Sequence, residues 1–194
     1  MPLTEAQIEK LKRSLQASSN RHRRAGARVW EAEGRWLANR VSNALTGDVM
    51  DAIGDTSLRT TVAGSRFSQA AKRRSARLCG DLADIVESYR VDTYNRTRDA
   101  HGFTATRSGV STAKKILIDG KDLSRWLARF RTAWLDMIEE TIVVAANDGV
   151  ESKRIASLAR RDIMDRTGQI SRRFANILLS SSGAAVNVAT LEVA

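Results

Sequence analysis

The stretch Leu123-Ser-Arg-Trp126-Leu127-Ala-Arg-Phe130-Arg-Thr-Ala-Trp134-Leu-Asp-Met-Ile138-Glu-Glu-Thr-Ile142 repeats large apolar residues at intervals of three and four without a break. That period is one face of an α-helix. It predicts an amphipathic helix from Leu123 to about Asn147, closed by Asp148-Gly149. Trp126, Phe130 and Trp134 stand at i, i+4 and i+8, so these aromatic side chains are expected to pack in a core rather than to stack on bases.

The same period recurs outward in both directions. Toward the N-terminus, Leu78, Leu82, Ile85 and Tyr89 share a face and predict a helix over about Phe67 to Asp99, ended by His101-Gly102. Trp30, Leu37, Val41 and Leu45 predict another over Arg21 to Leu45, in which Gly26 and Gly34 each cost ~1 kcal/mol relative to alanine. Thr4 and Gln7 have capping-box spacing and open a first helix over Glu5 to Ala17. Ser18, Ser19 and Asn20 favour caps and turns over helix interiors, so they are expected to separate these two helices. Toward the C-terminus, Glu151 to Ile163 and Ile170 to Leu179 read as two helices broken at Gly168, followed by a tail to Ala194.

Two stretches depart from the pattern. Glycines punctuate residues 47–65, which read as loop with one or two short helices. Residues 103–122 turn to Thr, Ser and Gly, and Lys114 to Ile118 followed by Asp119-Gly120 is a local strand-and-turn signal. The expected fold class is therefore all-α with minimal β, divided into a long-helix basic region (1–102), a flexible arm or hinge (103–122) and a C-terminal helical unit (123–194). A single proline, Pro2, leaves the chain free to form long helices.

Charge points to the partner. Thirty-two Lys and Arg face 22 Asp and Glu, a formal charge of +10, so a polyanion is the expected ligand and nucleic acid the first candidate. The basic residues concentrate at Arg21, Arg23, Arg24 and Arg28, and again at Lys72, Arg73, Arg74 and Arg77. Arg21, Arg24 and Arg28 at i, i+3 and i+7 share a helix face and can follow a phosphate backbone. Each cluster alone also reads as a solvated helix face. Together they favour an anionic partner, bound without base reading, because neither a recognition helix nor an exposed aromatic platform is evident.

Catalysis finds little support. His22 lies inside an arginine cluster and His101 beside a glycine turn, so a histidine metal site or a nucleophile-histidine pair is hard to assemble. Asp81, Asp84 and Glu87 could hold a magnesium ion, yet their simpler role is to neutralise Arg74, Arg77 and Arg90. The serines Ser180 to Ser182 have no general base within reach. Cys79 is alone, which excludes an intramolecular disulfide and a thiolate cluster. No enzyme activity, metal or cofactor is expected. The first 12 residues do not read as a secretory signal, and no later run is expected to approach the ~20 residues of a membrane span.

Asn147-Asp148-Gly149-Val150, Ile155-Ala156 and Ile170-Ser171-Arg172-Arg173-Phe174-Ala175-Asn176-Ile177 together resemble the minor head (head morphogenesis) proteins of tailed bacteriophages, of the Mu-like type. In that family a glycine-started helix is followed by a break and a helix with the pattern Ile-Ala-Arg-Thr-Glu-x-x-x-Ala-x-Asn. Ile177 takes its first position and Ala185 and Asn187 its last two, while Leu179, Ser180 and Ser181 replace its Arg, Thr and Glu. The likeness covers about a quarter of the chain. It implies a virion component made in the host cytoplasm, docked near the portal vertex inside the head, with portal or other head proteins and packaged double-stranded DNA as partners. It implies a role in head assembly and DNA packaging or ejection. A homo-oligomer is expected from the long apolar stripes, and no membrane is involved in this reading. The alternative is a nonspecific nucleic-acid-binding protein of nucleoid or packaging type.

Overall fold

The computed structural model describes residues 3–46, 66–118, 120–147 and 152–192. Five helices occupy most of these residues: α1 (Glu5–Thr46), α2 (Arg66–Ala100), α3 (Arg107–Lys114), α4 (Leu123–Asn147) and α5 (Ser152–Leu191). No strand occurs among the described residues, and the fold is all-α. The expected loop over residues 47–65 lies outside the described residues.

The helix ends follow the local chemistry. Thr4 N–H donates to Gln7 Oε1 at 2.8 Å and Gln7 N–H returns to Thr4 Oγ1, which closes the capping box that starts α1. Helix α2 stops at Gly102, whose φ of 77° is left-handed and lets Phe103 N–H reach Arg98 O at 3.0 Å. Thr106 caps α3 through Gly109 N–H, and Asp122 caps α4 through Arg125 N–H at 2.8 Å.

Two expected breaks are absent. Helix α1 runs straight through Ser18, Ser19 and Asn20. Both serines are buried, and Ser18 Oγ donates to Asp92 Oδ2 at 2.5 Å, so its hydroxyl serves a tertiary contact instead of a cap. Helix α5 likewise passes through Gly168 and carries on over the expected tail to Leu191. A lone glycine costs a helix only ~1 kcal/mol, and burial of Ile163, Thr167 and Ile170 around it outweighs that. The segment 103–122 is also more regular than an arm. It contains α3 and an isolated antiparallel bridge between Ile118 and Lys121, turned by Gly120 at φ 70°.

The chain forms two compact units from separated segments. One comprises residues 1–27, 81–127 and 172–194, the other residues 28–80 and 128–171. In the second, Trp30, Leu37, Val41, Leu78, Trp134, Met137 and Ile163 are buried. Trp30 and Phe130 rings approach to 6.1 Å, and Trp36 stacks on Trp134 at 6.4 Å. Phe130 and Trp134 thus pack in a core as their spacing predicts. Trp126 is only half-buried, with its indole N–H donating to Ile118 O at 2.9 Å. In the first unit, Leu82, Val86, Tyr89, Tyr94, Phe174, Leu178, Ala185 and Ala189 form the apolar interior.

Glycines set how closely helices approach within each unit. A Cβ on Gly26 would lie 2.6 Å from the Phe174 ring, and one on Gly34 would lie 2.9 Å from Thr167 Cγ2. One on Gly109 would lie 1.9 Å from Tyr94 Oη. These glycines carry packing that outweighs their helix penalty, whereas a Cβ on Gly168 meets nothing within 4 Å. Gly26→Ala and Gly109→Ala are therefore expected to lower the melting temperature, each losing about 1–3 kcal/mol to overpacking. Gly168→Ala is expected to raise it by gaining ~0.5–1 kcal/mol of helix propensity. Thermal denaturation followed by circular dichroism checks the opposite signs.

Candidate nucleic-acid interface

The eight basic residues singled out by their clustering divide into two groups. Arg21 and Arg74 are held by carboxylates. Arg21 Nη2 lies 2.9 Å from Asp92 Oδ2, and Arg74 Nε lies 2.7 Å from the largely buried Glu33 while its guanidinium covers the Trp36 ring at 4.6 Å. A guanidinium stacked on an aromatic face and paired below it is fixed as part of the packing. Arg23, Arg24, Arg28, Lys72, Arg73 and Arg77 are exposed, and no ion pair to them occurs among the described residues.

Helix geometry orders the exposed group. On α1, Arg24 and Arg28 project from the side opposite Ser18, His22 and Gly26, which are buried. They stand about 6 Å apart along the axis. From Lys10 to Trp30 the chain has seven basic residues and no acidic one, a signal as plain as the acid-free run Phe67 to Arg77 on α2. Among the described residues none of these six cations is held in an ion pair, so their field extends into solvent.

His22 does not belong to this surface, although the sequence sets it among arginines. It is buried, its Nδ1 lies 2.9 Å from Ser18 O and its Nε2 3.4 Å from Ser88 Oγ, and its ring packs 4.9 Å from Tyr89. Its i−4 and i+4 relation to Ser18 and Gly26 marks the buried face.

The polar seam that holds α1 to α2 in the first unit centres on Asp92. Its carboxylate accepts from Ser18 Oγ, Arg21 Nη2 and Arg96 Nε, the last at 3.0 Å, and Arg96 Nη1 donates onward to Ser14 Oγ at 2.5 Å. Burial pushes the Asp92 carboxyl up, but hydrogen bonds from Arg96 and Ser18 and the charges of Arg96 and Arg21 outweigh it and hold the group below the ordinary carboxylate value.

The acidic group Asp81, Asp84 and Glu87 is not placed as a metal site, nor does it neutralise the arginines expected of it in full. Asp81 and Asp84 are exposed, and Glu87 lies 3.8 Å from Lys114 Nζ. Arg74 pairs with Glu33 instead. Arg90 is fully buried, with Nη1 donating to Lys114 O at 2.8 Å at the C-terminal end of α3. Burial lowers its pKa, and the charge of Glu87 partly opposes the shift. No group of three or more His, Cys, Asp or Glu side chains able to hold a metal occurs among the described residues. Ser181 is buried inside the first unit, and Ser180 is exposed with no histidine beside it in the sequence.

Sequence reasoning missed a second polar cluster. The Glu192 carboxylate sits at the N-terminus of α3, accepting from Tyr94 Oη at 2.5 Å, while Arg98 Nη1 donates to Glu192 O at 3.1 Å and Nη2 to Thr104 O at 3.2 Å. Arg98 also covers the Phe103 ring at 5.0 Å. The clasp joins residues almost a hundred positions apart, which no local pattern could reveal. One further departure concerns hydropathy. Within α5, Ala156–Leu191 contains a stretch long and apolar enough by length and composition to cross a membrane, although no such run was expected. A third of that stretch is buried inside the protein.

Comparisons with models of protein families, with curated proteins and with solved structures found no match.

Because the native pKa of Asp92 lies below its unfolded value, its stabilisation is complete above about pH 3.9 and is lost as pH falls through the lowered native value. Asp92→Asn is expected to lower the melting temperature at pH 7. The gap to the wild type should close in acid, as measured by thermal melts across a pH series.

Proposed function

We propose that this protein is a non-catalytic structural component that holds a nucleic-acid backbone, and that its setting is the head of a tailed phage. The observation that carries the first part is the exposed group Arg23, Arg24, Arg28, Lys72, Arg73 and Arg77, which has no carboxylate partner among the described residues. Long cationic side chains on helix faces neutralise phosphates and release counterions without reading bases. The half-buried or buried state of Trp126, Phe130 and Trp134 supports the same limit, since these rings offer no stacking platform.

The C-terminal resemblance supports the setting: a minor head or internal virion protein near the portal that serves head assembly and DNA packaging or ejection. The five residues between Ile177 and Gly183, Leu178, Leu179, Ser180, Ser181 and Ser182, are all apolar or hydroxyl-bearing and lie in one unbroken helix with Ala185 and Asn187. The continuity of α5 through Gly168 differs from the broken pair of helices that the resemblance implies. A nucleoid-type or packaging protein remains the second reading, favoured by the same exposed cations.

Binding of the full chain to unrelated duplex DNA between ~50 and ~200 mM salt tests the backbone reading. Six phosphate contacts predict an affinity loss of ~10³-fold across that range. Changing Arg23, Arg24 and Arg28 to glutamine should flatten the log-log slope by about 2.7 with stability within ~0.5 kcal/mol of wild type. Changing Arg21 or Arg74 should instead lower stability and leave the slope nearly intact. Weak binding indifferent to the first set would remove nucleic acid as the partner.

A further inference from the structure

The clasp around Glu192 has the composition of an anion site that the chain fills with its own carboxylate. All of its residues belong to the first unit. Tyr94 and Arg98 come from the buried face of α2, 0% and 6% exposed. Thr106, Ser108 and Gly109 make the start of α3, where Thr106 Oγ1 lies 3.0 Å from Gly109 N and 3.3 Å from Ser108 Oγ. The first N–H groups of a helix have no partner within it and carry its positive dipole end, so an anion is favoured there. Gly109 keeps the approach open, because a Cβ on it would lie 2.6 Å from Glu192 Oε1.

Glu192 leaves part of this site unserved. Its Oε2 is the acceptor for Tyr94 Oη at 2.5 Å and for Thr106 Oγ1 at 3.4 Å, and it stops 4.0 Å from Arg98 Nη1. That guanidinium donates only to main-chain oxygens, those of Glu192 and Thr104, and its Nε is buried with no hydrogen-bond partner. A buried cation whose nearest carboxylate lies beyond hydrogen-bond range is a costly arrangement. A phosphate group brings three or more acceptor oxygens at tetrahedral corners, where a carboxylate brings two in one plane. It can therefore meet Tyr94, Thr106 and Arg98 together. The occupant lies at the edge of the fold: Glu192 follows the last helical residue of α5, and its side chain is 30% exposed. The site thus opens to solvent on the side from which Glu192 enters. With Glu192 withdrawn, Arg98, the α3 N-terminus and the exposed Arg107 on its first turn leave the place positive.

We infer that the N-terminus of α3 together with Tyr94 and Arg98 is a phosphate-binding site, and that the Glu192 carboxylate is a tethered plug which a phosphate group displaces. The exchange replaces one anion by another at the same donors, so the buried Arg98 is never left without a counter-charge. It also frees the end of α5 from α3, which stays attached to α2 at its other end through Arg90 Nη1 and Lys114 O. Phosphate occupancy and the position of the α5 end are therefore coupled. The site is separate from the exposed cations of α1 and α2 and does not depend on the nucleic-acid reading.

Titration of the full chain with inorganic phosphate at constant ionic strength tests it, read from the amide resonances of Ser108 and Gly109. Glu192→Ala should bind phosphate, and the wild type about tenfold more weakly, as a plug in place about nine-tenths of the time requires. Adding Tyr94→Phe to Glu192→Ala should weaken binding about tenfold again, since it removes one donor to a charged acceptor. Glu192→Gln, which keeps an acceptor for Tyr94 without the charge, takes the place of the alanine variant if that one does not fold. Changing Arg23, Arg24 and Arg28 to glutamine should leave these resonances and their titration as they are. Short duplexes with and without a 5′-phosphate separate the sources of the group: tighter binding of the phosphorylated duplex than of inorganic phosphate assigns a strand end, and the reverse assigns free phosphate. A folded Glu192→Ala or Glu192→Gln variant whose resonances phosphate does not move would overturn the inference. So would binding no tighter than in the wild type, or binding that Tyr94→Phe leaves intact.

Discussion

The carboxylate of Asp92 organises the first unit. It draws Ser18 and Arg21 of α1 and Arg96 of α2 onto one pair of oxygens, and Arg96 passes the connection to Ser14. Ser14, Ser18 and Arg21 are spaced four and three apart, so a continuous helix is required to present all three to α2. That requirement explains why α1 does not stop at its serines. It also determines which arginines can serve a partner, because Arg21 is committed to Asp92, while Arg24 and Arg28, exposed on the same helix face, have no ion pair among the described residues.

The second unit divides its basic residues by the same rule. Arg74 is bound between Glu33 and the Trp36 ring, and Arg131 Nε donates to the buried Ser75 Oγ at 3.0 Å. Lys72, Arg73 and Arg77 remain outside that packing. Arginine is suited to both duties, since its planar guanidinium stacks and pairs in a core and still carries full charge at the surface. A high arginine content therefore does not measure a binding surface. What matters is which guanidinium groups the interior has already engaged.

Glycine has a similarly double character here. Read along the chain, Gly26 and Gly34 weaken a helix and Gly168 is expected to break one. In space, the first two are places where Phe174 and Thr167 occupy the volume a side chain would need, and the third faces nothing. Gly109 is a stronger case, because Tyr94 Oη and the Glu192 carboxylate fill the space above it and so tie the short helix α3 to the end of α5.

The all-α class, the starts of α1 and α4, the end of α2 and the burial of Phe130 and Trp134 were legible in the residues, because caps, left-handed glycines and apolar period act over a few positions. Both basic clusters were legible for the same reason, charge being a local property of composition. The continuity of α1 and α5 was not. Serine and glycine lower helix propensity only modestly, and burial against distant partners such as Asp92 and the neighbours of Thr167 decided the matter. Nor could spacing separate Arg21 and Arg74 from their neighbours or find the Glu192 clasp. Those depend on carboxylates and rings tens of residues away, which become neighbours only when the chain has packed.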